Sequence, residues 1–90
     1  MQKAIITVVG KDQVGIISRV CSFLAEKNIN ILDISQTIVQ GYFNMMMITD
    51  VSASTEKFSA VSDELDALGE SIGVIIKLQR SEIFEKMQRI

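Results

Sequence analysis

The 90-residue sequence predicts an α+β fold: four antiparallel strands with two helices on one face, followed by a short C-terminal helix. Two observations carry that expectation. Apolar residues switch between the twofold period of strands and the 3.6-residue period of helices, in the order strand-helix-strand-strand-helix-strand. The runs at 3–9 and 43–51 are apolar on both sides and belong inside a sheet, whereas those at 31–39 and 72–78 carry polar residues on one side and suit its edges.

The first run, from Lys3 to Val9, is β-branched and interior. Gly10-Lys11-Asp12-Gln13-Val14-Gly15 then turns the chain into a helix at 16–27. Glycine at each end of this turn permits a sharp reversal and close approach of a ligand. The N–H groups of Gln13, Val14 and Gly15, free of helical partners, are placed to hold a carboxylate. The plainer alternative is a strand-to-helix connection with Asp12 as N-cap. Along the helix, Ile16, Ile17, Val20, Cys21 and Leu24 form the inward stripe, Phe23 lies at its margin and Asn28 is a left-handed C-cap candidate.

Asn30 opens the second extended run. Asp33, Ser35 and Thr37 alternate with Leu32, Ile34 and Ile38 on the opposite face, as on a half-exposed edge strand. Gln40-Gly41-Tyr42 reverses the chain into the third run, giving an antiparallel hairpin. Within that run, Met45, Met46 and Met47 point alternately to opposite faces, so they fill gaps rather than converge on a soft metal ion. After the polar break 52–55, Ser54 or Thr55 caps a second helix carrying Phe58, Val61, Leu65 and Leu68, with Gly69 as its stop. In the fourth strand, Val74, Ile76 and Leu78 share one face. The tail, a helix at about 81–89, sets Ile83, Phe84, Met87 and Ile90 on one side and needs a surface to dock on.

Two strand-helix-strand halves with right-handed crossovers make a ferredoxin-like βαββαβ sandwich, with strands 1 and 3 central and both helices on one face. Such a two-layer fold leaves the far sheet face bare, although apolar side chains lie on it. A patch of this kind marks a partner surface, so a homodimer or higher oligomer is expected, with the terminal helix as a second candidate cover.

Composition narrows the chemistry. Nine basic and eleven acidic residues give a net charge of −2, so no strong field draws in nucleic acid or an anionic membrane. The chain has no histidine, the commonest general base and transition-metal ligand, and the carboxylates Asp12, Asp33 and Asp50 stand singly. Neither an enzyme nor a metal or other cofactor site is expected. The single Cys21 excludes an internal disulfide and suits a reducing cytoplasm, where its reading is a small buried apolar side chain. No signal-like or membrane-spanning run is present in the sequence.

The chain resembles the ACT domain family, and within it the small stand-alone ACT proteins of bacteria and archaea of uncharacterised type. The resemblance is carried by Ile5-Ile-Thr-Val-Val-Gly-Lys-Asp-Gln-Val-Gly-Ile-Ile17, by Leu24-Ala-Glu-Lys-Asn-Ile-Asn-Ile-Leu-Asp-Ile-Ser-Gln-Thr37, by residues 43–47 and by Ile83-Phe-Glu-Lys-Met87. It covers essentially the whole of 1–90 and implies one domain that binds an amino acid or similar ligand at an interface. Asp12 and Gly15 match the family's Asp-x-Pro-Gly turn. Asn30 matches the polar residue that opens strand 2 and faces the ligand across a dimer. Lys11, Gln13, Val14, Ile31 and Leu32 are implied as neighbours of the ligand, and the turn from Gly10 to Gly15 is expected to hold its carboxylate. Val14 stands where the family commonly has proline, which relaxes the turn and restores an N–H group.

The leading expectation is a non-enzymatic amino-acid-binding regulator acting as a homodimer or higher oligomer. The alternative is a structural protein–protein interaction module without a small ligand. An acylphosphatase-like enzyme ranks last, because it needs an arginine in the first turn and only Lys11 is there. A metallochaperone would want two cysteines near that turn.

Overall fold

The computed structural model describes residues 2–11 and 13–81, so the predicted tail helix lies almost wholly outside the described residues. The first strand, β1 (Lys3–Lys11), extends two residues beyond the expected end. Gly10 and Lys11 still find ladder partners in Phe43 and Tyr42, so they belong to the sheet and not to the turn. The second expected role of Gly10, close approach, is met within the protein: a Cβ there would stand 2.7 Å from the Val74 side chain on the neighbouring strand.

Helix α1 (Ile16–Glu26) buries Ile16, Val20 and Leu24 at intervals of four, which puts them on one stripe. Ile17 is exposed and Cys21 half-buried, so the inward stripe is narrower than predicted. Asn28 takes the left-handed conformation expected of it, at φ 58°. Strand β2 (Asn30–Val39) pairs with β3 (Tyr42–Asp50) around Gln40 and Gly41, both at positive φ, as a two-residue hairpin turn requires. A bulge between Ile31 and Asp33 changes the alternation, so that Ile34, rather than Asp33, shares the face of Met47.

Helix α2 (Phe58–Ile72) begins later than predicted. Lys57 is its N-cap, without a side-chain bond, while Ser54 only accepts a bond from the Glu56 N–H in the preceding loop. The helix also ends later. Gly73, at φ 76°, is the C-cap, and Gly69 lies buried inside the helix. Ile72 therefore closes the helix, and β4 (Val74–Arg80) starts two residues after the predicted point. The reason Gly69 is a glycine is proximity, since a Cβ there would meet the Val74 carbonyl oxygen at 2.7 Å.

The sheet order is β2-β3-β1-β4, all antiparallel, which makes the two central strands and the two edges those the sequence predicted. One face of the sheet, with Ala4, Ile6, Val8, Phe43, Met45, Met47, Val74, Ile76 and Leu78, forms a single core with Val20 and Leu24 of α1 and Val61 and Leu65 of α2. Both helices thus cover the same face in the ferredoxin-like arrangement. Met45 and Met47 are buried and Met46 exposed, as alternation demands. Among the described residues, the one buried polar side chain of the core, Thr49, donates its hydroxyl to the Ala4 carbonyl at 2.9 Å.

At the C-terminal end of α1 the Lys27 ammonium lies 2.5 Å from Glu56 and 2.8 Å from Glu64, tying α1 to the loop before α2 and to α2 itself. Hydrogen bonding to the two carboxylates raises the Lys27 pKa, and the same Lys27 bond lowers that of Glu56. The Ser52 hydroxyl and backbone N–H lower Asp50 in the same way. Groups with depressed carboxyl pKa values stabilise the fold above their ordinary range, and that contribution disappears as pH falls through the folded values. Melting temperature should therefore hold from neutrality to about pH 5 and drop below about pH 4. Glu56→Gln should lower it at pH 7 and shrink the acid drop, read by thermal unfolding across pH. The raised Lys27 contributes the opposite way, with loss only above the ordinary lysine range.

Candidate functional site

The predicted site divides in two. One half is the β1–α1 connection. Gly15 is the N-cap of α1 in the left-handed conformation at φ 94°, which favours glycine, and the N-cap position is therefore not that of Asp12. Asp12 itself lies outside the described residues. The first helical bond runs from the Arg19 N–H to the Gly15 carbonyl at 3.0 Å. The N–H groups of Gly15, Ile16, Ile17 and Ser18 accordingly have no acceptor within the helix, a set shifted toward the helix from the predicted Gln13 to Gly15.

The Gln13 side-chain amide donates to the Ile72 carbonyl at 2.5 Å, which fastens the turn to the end of α2. Between them lies a cavity of about 210 Å³ lined by Gln13, Val14, Gly15, Ile16, Arg19, Ser71 and Ile72. Val14 is fully exposed on its rim. Lys11 is exposed at the end of β1. With no acidic residue in the first turn of α1 and Arg19 one turn inside, the α1 side of this cavity favours an anion, whereas the carbonyl end of α2 at Ser71 and Ile72 opposes it.

Arg19, Ser71 and Ile72 were not among the residues the sequence nominated. Arg19 was legible in principle, because it stands four positions after the N-cap and so above it on the same face. Ser71 and Ile72 come from the far end of α2, and no sequence spacing joins them to the turn.

The other half is the start of β2, where Asn30 and Leu32 are exposed and Ile31 is half-buried. The structure does not bring it to the turn within one chain. Asn30 is the partner of Asp50, and Asp50 of Lys3 at the beginning of β1, whereas Gly10 and Lys11 pair with Phe43 and Tyr42, and these with Ile38 and Val39. The halves therefore sit at opposite ends of the sheet, roughly 25 Å apart along the strands. Within one protomer the turn and Asn30 do not meet, and the expectation that Asn30 faces the ligand across a dimer concerns a second chain.

Among the described residues no group of three or more His, Cys, Asp or Glu is placed to hold a metal ion, and no helix is long and apolar enough to cross a membrane.

Known proteins share this fold and much of this sequence. The family model for the ACT domain matches residues 2–79. A UPF0237 protein of Bifidobacterium longum is 60% identical over 90 residues, the full length of both chains. A UPF0237 protein of Pyrobaculum aerophilum is 42% identical over 90 residues, again covering both completely. Among solved structures, an ACT domain protein from Streptococcus pneumoniae superposes with a TM-score of 0.82 at 44% identity, covering 93% of this chain and 94% of that one.

Proposed function

Because the chain belongs to the ACT domain family, whose members are typically regulatory and ligand-binding, we propose that it is a non-enzymatic sensor of a small amino-acid-like ligand, acting as a homodimer. The observation that carries this reading is the position of the two half-sites relative to the free edge. Strand β2 is a ten-residue edge exposed along almost its whole length and paired on one side only among the described residues. Such an edge is a template for pairing with another strand.

If two copies of β2 pair antiparallel about a twofold axis near Ile34 and Ser35, Asn30 of one protomer lies beside Val39 of the other. That is the sheet end of Tyr42 and Lys11, with Asn30 about three strand spacings, or 14 Å, from the β1 end of the turn. Each composite site then takes its anion-holding donors from one protomer and Asn30, Ile31 and Leu32 from the other. The ligand carboxylate is held by the turn and the first N–H groups of α1, with Arg19 supplying charge. Asn30 lies on the sheet face away from α1, because it pairs with Asp50 while Ile31 packs on the core, so it reaches the ammonium group, with Asp12, around the end of β2. A ligand bound across the twofold stabilises the assembled state by its differential affinity for it, which is the physical content of sensing.

The test is thermal unfolding of the full chain over a panel of free amino acids, with oligomeric state followed in parallel. At one hundred times the dissociation constant, a true ligand should stabilise by about 2.7 kcal/mol. A stable dimer that responds to none of them would instead support the purely structural interaction module, for which the far face of the sheet, uncovered by either helix among the described residues, speaks.

A further inference from the structure

The sheet face opposite the helices has an order of its own. Direct cross-strand partners share a face, so one row across it is Asp33, Ile48, Ile5 and Gln79, the next Ser35, Met46, Thr7 and Lys77, and the next Thr37, Asn44, Val9 and Ile75. Among the described residues both helices pack on the other side. Exposure is nevertheless graded along this face. Ile5 is 7% exposed and Ile48 half-buried, against 41% for Met46, 44% for Val9 and 62% for Ile75.

The buried end is the end from which the chain departs. Arg80, the last residue of β4, pairs with Ala4, next to Ile5. Nine residues, 82–90, follow Ser81, with Ile83, Phe84, Met87 and Ile90 at helical spacing. As a helix they reach about 14 Å, which equals the three strand spacings from β4 to β2. Their charges run in a matching order. Glu82 and Glu85 come first, where the face carries Lys3, Lys77 being paired with Asp66 of α2, and Lys86 and Arg89 come last, where it carries Asp50 and Asp33.

We propose that the segment 82–90 docks as a helix on its own protomer, crossing the Ile5 and Ile48 end of the far sheet face from β4 toward β2. It caps the apolar end of the face and leaves the Val9, Met46 and Ile75 end open. Covering this surface removes it from competition with the β2 edge, so that pairing between copies is confined to that edge.

Cysteine cross-linking in the full chain tests this, in a Cys21→Ala background. Ile48→Cys combined with Met87→Cys should form a disulfide within one chain, roughly tenfold faster than Ile75→Cys combined with Met87→Cys, because docking raises the effective concentration at one end only. Mass spectrometry separates intrachain from interchain products. Interchain disulfides would show the segment seated on a second copy, and equal rates at the two ends would show no preferred seat; either result overturns the proposal. Should Ile48→Cys unfold the chain, Asp33→Cys, exposed in the same row, takes its place with Arg89→Cys and the same expected outcomes. The cross-linking rates do not depend on a small ligand, so failure of the docked helix leaves the sensor reading standing.

Discussion

Replacing Gly69 with alanine is expected to destabilise the fold by about 1–3 kcal/mol, measured by urea unfolding at constant m-value. Helix propensity alone gives the opposite sign, because alanine favours an exposed helix interior by about 1 kcal/mol over glycine. Packing decides it. The new methyl would stand 2.7 Å from the Val74 carbonyl oxygen and 3.3 Å from the Ile76 backbone N. Both are backbone atoms of a strand held in a ladder with β1, so neither yields as the end of a flexible side chain would. Relief requires α2 to lift from β4, and that opens the core around Leu65 and Ile76. A neutral or stabilising Gly69→Ala would show that α2 lies farther from β4 than described.

The second large effect concerns the proposed site. Val14→Asp should abolish the ligand-dependent stabilisation of about 2.7 kcal/mol expected for the unmodified chain at one hundred times its dissociation constant. It should leave unliganded stability almost unchanged. Val14 is fully exposed, so its replacement disturbs no packing, while a carboxylate there repels the ligand's own. Thermal unfolding with and without the responding amino acid reads both quantities. Retained stabilisation would move the anion site away from the turn.

The architecture was largely legible because its signals are local and periodic. The both-face apolar character of β1 and β3, the polar alternation of β2 and the Gln40-Gly41 turn each specify a neighbour without knowledge of the rest. The errors fall where a local signal was outweighed by a contact distant in sequence. Gly69 read as a helix stop, yet it is small because β4 returns against it, and Gly73, at positive φ, does the capping. Gly10 likewise read as a turn glycine, and it is a strand residue with Val74 packed against it.

The candidate site was legible only in its halves. The turn shows in the sequence because Gly10 and Gly15 bracket a strand-to-helix change. Asn30 shows only through family resemblance, and its separation from the turn is a property of the ladder register, which no local pattern encodes. Ser71 and Ile72 reach the turn through the packing of α2, so their place beside Gln13 could not be read from spacing.

The composite site is tested most directly by mixing two variants that are each unable to bind. Asn30→Ala removes one half-site from every protomer, and Val14→Asp disables the other. In a mixed dimer built about a twofold axis, one site receives an intact turn from the Asn30→Ala protomer and an intact Asn30 from the Val14→Asp protomer, while the other site carries both changes. After unfolding and refolding together, with protomers reassorting at random, about a quarter of the sites should bind the amino acid that stabilises the unmodified chain, measured by isothermal titration calorimetry. Each variant alone should bind none. If the mixture also binds none while mixed dimers are present, the two halves do not meet across the twofold, and the composite site is contradicted.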